Sequence, residues 1–145
     1  METLIQNYKY VEWKSTKEMH YSSLQWISEI MFIKEEHHFI ENMLKEYTLP
    51  IIKSNLLSKV KVLITRLTKL KQKTDTLLNK ITDHRNGLRV MIYGICQLKE
   101  ENNYKKEHRK LLIDMNLFSK EYNILKKEIF GTVSTATIQQ KRVLN

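Results

Sequence analysis

Cys96 is the only cysteine in 145 residues, which excludes an intrachain disulfide and the paired-cysteine spacings of zinc sites. A reducing, cytoplasmic setting is the expectation. Proline occurs once and glycine three times, too few for the turns of a many-stranded protein, while Lys, Leu, Ile, Glu and Asn are abundant and suit helices. No stretch approaches the roughly 20 apolar residues that span a bilayer. Residues 1–20 mix Glu, Lys and Tyr with isolated apolar residues and lack the continuous apolar core of a signal peptide. The sequence therefore reads as neither exported nor membrane-spanning. Phosphate-binding loops, dinucleotide-binding glycine patterns, Gly-x-Ser-x-Gly and paired-histidine zinc helices are all missing. Nothing in the chain identifies a reaction, and a non-enzymatic protein is expected.

What is present is helical periodicity. Trp26, Ile30, Ile33, His37, Ile40, Leu44 and Tyr47 recur at alternating steps of three and four, which makes one stripe on a helix over residues 21–47. Ser22 or Ser23 is placed to cap its start. Thr48-Leu49-Pro50 ends it, because the residue before proline is pushed out of the α region and proline suits the first turn of a new helix. A second stripe runs Leu56, Val60, Leu63, Leu67, Leu70, Thr74, Leu77 and Ile81, and continues through His84, Leu88, Met91, Ile95 and Leu98. This run is either one helix of about 50 residues, roughly 75 Å long, or two helices separated at Asp83-His84-Arg85-Asn86-Gly87. After the polar stretch Glu100-Glu101-Asn102-Asn103 a last stripe comprises Tyr104, His108, Leu111, Met115, Phe118, Tyr122, Leu125 and Ile129, with Gly131 as its C-cap. The expected fold is an all-α antiparallel helical bundle with coiled-coil-like seams, of four helices or of three with a very long central one. It occupies residues 21–131, between a flexible N-terminal segment (1–20) and a flexible C-terminal tail (132–145).

The formal charge of +9 is segregated by helix. Residues 21–47 hold five acids against two lysines, whereas residues 51–82 hold eight Lys or Arg against Asp75. Lys59, Arg66, Lys73 and Lys80 form a basic row at heptad spacing, and Glu107, Asp114, Glu121 and Glu128 an acidic one. Glu29 and Glu36 do likewise on the first helix. Flanking rows of this kind choose which helix lies beside which. The alternative makes the basic row an anionic-partner surface, contacting the phosphates of nucleic acid or of the ribosome.

The pattern closest to chemistry is His37, His84 and His108, each on the apolar stripe of its segment. Bundle cores build carboxylate and histidine sites for iron, manganese or zinc from such inward residues. Only one Glu-x-x-His pair exists, Glu35 and His38, where a di-iron bundle needs two. With turns near residues 49, 85 and 102, Glu29 falls about 6 Å along the axis from His108, whereas His37 and His84 lie roughly 15 Å from it. Glu29, Glu36 and His108 are thus the candidate metal ligands. Structural histidines hydrogen-bonded in the core are the competing reading. Cys96 reads as a small core residue, and Gly87 and Gly94, one heptad apart, as points of close helix approach.

The segment Trp26-Ile27-Ser28-Glu29-Ile30-Met31-Phe32-Ile33-Lys34-Glu35-Glu36, with His108 and Leu125-Lys126-Lys127-Glu128-Ile129-Phe130, resembles a group of uncharacterised helical proteins typical of the Bacteroidota. That resemblance implies a bacterial, cytoplasmic, all-α protein and no particular activity. Leu57, Ile64 and Leu78 widen the central stripe beyond a two-stranded seam, so self-association, most simply as a dimer, or binding to another protein is expected.

Overall fold

The computed structural model describes residues 15–94 and 98–144. They form an all-α bundle of four helices: α1 (Thr16–Glu46), the short α2 (Thr48–Lys53), α3 (Leu57–Tyr93) and α4 (Leu98–Leu144). Among the described residues there is no strand, and no helix is long and apolar enough to cross a membrane. Cys96 and Ile95 lie outside the described residues.

The helix ends follow local chemistry. Ser15 and Glu18 form a capping box: Glu18 N–H donates to Ser15 Oγ at 3.2 Å while Ser15 N–H donates to Glu18 Oε1 at 3.5 Å, and Ser15 Oγ–H also donates to that oxygen at 3.1 Å. α1 therefore starts five residues before the expected Tyr21. Ser23 is not a cap; it is buried, and its hydroxyl donates to Met19 O at 2.8 Å. Pro50 sits in the first turn of α2, where its missing N–H costs nothing. Asn55 then takes a left-handed φ of 59° and Leu56 N–H reaches back to Ile51 O at 3.1 Å, a Schellman-type stop.

Of the two arrangements open for the second stripe, α3 takes the unbroken one through Asp83–Gly87, where Gly87 keeps a helical φ, and it ends at Tyr93. A Cβ there would lie 2.6 Å from Tyr104 Cε1, so this glycine admits a ring of α4 and does not end a helix. The polar stretch Glu100–Asn103 belongs to the first turns of α4, where acidic residues suit the positive end of the dipole. Finally, Gly131 is no cap, because α4 continues to Leu144. Thr132, Val133 and Ala136 are buried and carry the seam onward from Ile129 in small side chains, in a segment expected to be a flexible tail. Thr132, Thr135 and Thr137 donate their hydroxyls to carbonyls one turn back, at 2.8–2.9 Å.

The chain divides into two compact units, each built from parts of α1, α3 and α4. The first unit comprises the described parts of Met1–Met31 and Thr74–Phe118. Its core holds Met19, Trp26, Ile30, Leu77, Ile81, Leu88, Met91, Leu111, Met115 and Phe118. The second comprises Phe32–Lys73 and the described part of Ser119–Asn145. Ile33, Ile40, Leu44, Ile51, Val60, Leu63, Leu67, Leu70, Tyr122, Leu125 and Ile129 are buried there. The alternating three-and-four spacing of these positions is the seam periodicity of coiled coils.

Candidate functional site

In the first unit the seams of α3 and α4 bring His84 and His108 together. Both rings are buried, and His84 Nε2 lies 2.9 Å from His108 Nδ1. Because the helices turn after Tyr93 and not near residue 85, these two histidines meet where a separation of about 15 Å was expected. On its other side His84 Nδ1 lies 3.6 Å from Glu107 Oε2, within ion-pair range but beyond a hydrogen bond. That carboxylate favours a proton on Nδ1 of His84, which leaves Nε2 to accept from His108 Nδ1–H. Trp26 stacks on His108 with ring centroids 4.6 Å apart, and Tyr104 tilts against His84 at 5.9 Å. Burial is the largest influence on His84 and lowers its pKa, with Glu107 opposing.

The second unit holds a separate polar cluster. Tyr122 donates its phenolic O–H to Glu36, and Lys126 Nζ approaches the same carboxylate at 3.0 Å. Burial pushes the Glu36 carboxyl up, but the bonds from Tyr122 and Lys126 outweigh it and leave the pKa below its ordinary value. Burial and the Glu36 carboxylate both raise the Tyr122 phenol far above its usual range. His37 is buried beside Tyr122, ring centroids 5.4 Å apart, and its Nε2 makes no hydrogen bond among the described residues. Its pKa is lowered by burial first and by Lys71 second.

The candidate metal ligands are each engaged differently. Glu29 is exposed, Glu36 serves Tyr122 and Lys126, and His108 pairs with His84. Among the described residues no group of three or more His, Cys, Asp or Glu is placed to hold a metal ion. An open groove at the end of α3, lined by Asn86, Arg89, Val90, Tyr93 and Gly94, contains neither paired histidine.

The charge rows do meet. Arg66 pairs with Glu128, and Lys73 with Glu121 at 3.1 Å, so α3 and α4 run antiparallel in the second unit. Lys71 bonds Glu41 of α1 at 2.6 Å, a pair outside both rows. Lys59 and Lys80, the remaining members of the basic row, are exposed. Glu107 and Tyr104 were not singled out in the sequence as partners of a histidine. Their only signal there is membership of the acidic row and of the last apolar stripe.

These features define the class, an all-α helical bundle whose core holds a buried histidine pair in the first unit and a Tyr–Glu–Lys cluster in the second. No family model matches the chain, and no curated protein or solved structure shows significant similarity to it.

Proposed function

We propose that this chain is a non-enzymatic helical-bundle protein that acts by association, with a second copy or with another protein, through the face of the second unit that carries Phe32 and Phe39. The carrying observation is that these two rings stand one heptad apart on α1 and are 61% and 60% exposed. The Lys126–Glu36 contact sets this side of α1 beside α4, and the partly exposed Phe130 stands one turn beyond Lys126 on that helix. Isolated surface apolar residues are ordinary, but exposed aromatic rings on the neighbouring flanks of two packed helices mark an interaction surface. The test is a photo-crosslinking residue in place of Phe39, with a control in place of the exposed Lys69 on α3, used in cells of the source organism. Discrete protein adducts at position 39 and none at 69 are expected. Equal or absent labelling at the two positions overturns the reading.

A second reading, association with nucleic acid or the ribosome, draws on α3. Arg66, Lys71 and Lys73 are occupied by carboxylates, whereas Lys59, Lys61 and Lys69 are exposed beside them. Such a face binds polyanions with a steep salt dependence. RNA or DNA binding that weakens with salt and disappears in Lys61→Glu/Lys69→Glu is its expected signature; binding unaffected by that double change removes it.

A further inference from the structure

We infer that the occupant of the Phe32–Phe39 face is a second copy of this chain, packed parallel about a two-fold axis so that α1 of each copy lies against α4 of the other. The inference rests on the association reading above and names its partner. Phe32 and Phe39 belong to a heptad row on α1 that ends on Glu46, and Glu35 stands on the adjoining outward row. Beyond Phe130, the outward edge of α4 is the heptad row Lys120, Lys127, Ser134 and Lys141, basic at three of its four positions. All five of these charged residues are exposed, and among the described residues none takes part in an ion pair. The face therefore has an acidic edge, an aromatic middle and a basic edge.

Such a face is complementary to itself in one orientation. A two-fold axis parallel to the helices sets the acidic edge of each copy opposite the basic edge of the other, so the attraction is made twice. An axis across the helices would instead oppose acidic edge to acidic edge. The heights also agree. Tyr122 and Lys126 both reach Glu36, so Glu35 stands level with the span from Lys120 to Lys127, within about 6 Å along the axis of either. The rings exclude water and supply the attraction, while the charged edges fix direction and register.

Light scattering across micromolar concentrations, with edge reversal, tests this. The wild-type chain is expected at twice its 17.5 kDa mass. Glu35→Lys/Glu46→Lys and Lys120→Glu/Lys127→Glu are each expected to weaken the dimer at least tenfold, and an equimolar mixture of the two variants to form it again. Circular dichroism checks that both variants stay folded, as expected for exposed residues outside the ion pairs. A wild-type mass of 17.5 kDa at every concentration, or a dimer indifferent to both reversals, overturns the inference. Crosslinks from position 39 to a different protein in that event would leave the association reading standing by itself.

Discussion

His84 Nε2 and His108 Nδ1 lie 2.9 Å apart with both rings in the core. Because both rings are buried, the energetic weight of their contact lies in the cost of removing only one. His84→Leu and His108→Leu should each cost about 1–3 kcal/mol, the penalty of a buried polar group left unmade. The double variant, with two apolar side chains facing each other, should cost less than the sum. Urea unfolding of the four proteins measures that non-additivity, and strict additivity would show that the two rings do not interact.

Acid should destabilise the protein in two stages. Burial lowers the pKa of His84 and His37 in the folded state, below an unfolded value of about 6.5. The unfolded chain thus binds more protons, and stability is full above that pH and falls as pH drops through the folded values. Glu107 faces His84, while Lys71, Glu41, Glu36 and His38 surround His37. Glu36 and Glu41, whose folded values are also lowered, add a further loss below about 4.3, the ordinary glutamate range. Thermal midpoints measured from pH 8 to pH 3 should decline first below about 6.5, and that first decline should shrink in His84→Leu/His37→Leu.

Gly87→Ala should destabilise, against the usual rule for a helix interior. Alanine is favoured over glycine by about 1 kcal/mol in helices. Here the added methyl meets Tyr104, whose Cε1 and Cζ lie 2.6 and 2.7 Å from its position, so the ring must leave its place beside His84. In a Tyr104→Ala background the same substitution should become neutral or stabilising. Thermal unfolding of the two pairs compares them directly.

The Tyr122–Glu36 bond is a part-buried hydrogen bond from a phenol to a carboxylate in the second unit. Removing the phenol with Tyr122→Phe leaves the ring in place and should cost about 1–3 kcal/mol, the range for a hydrogen bond to a charged group. It should also raise the Glu36 pKa, because one of the two bonds holding it down is gone. Carboxyl titration followed by NMR checks the direction.

Reversing the basic row should act mainly on packing of α3 against α4. Arg66–Glu128 and Lys73–Glu121 have side chains 42–60% exposed, so each is worth about 0.2–1 kcal/mol. Arg66→Glu/Lys73→Glu places like charges opposite and should lower the thermal midpoint by a few degrees; Glu121→Lys/Glu128→Lys in the same chain should restore it.

The three seams were legible because heptad spacing is a local property. Every residue from Trp26 to Leu44 in the first stripe, from Val60 to Met91 in the second and from His108 to Ile129 in the third is buried. The continuation of α4 was missed because Val133 and Ala136 are small and lie among threonines, a composition that reads as a loop. The early start of α1 is encoded in Ser15-x-x-Glu18, a capping signal that lies upstream of the apolar stripe and so outside its periodicity.

Which groups meet was a different matter. Composition and periodicity determined that the chain is helical, where its apolar faces lie and that acidic and basic rows flank them, since each follows from spacing along one helix. Only the tertiary structure decided that His84 pairs with His108, that Glu36 binds Tyr122 and that Gly87 receives Tyr104. Those contacts depend on the register between helices. A turn placed roughly ten residues out shifts one helix against its neighbour by about 15 Å or more, while every seam still presents an apolar face.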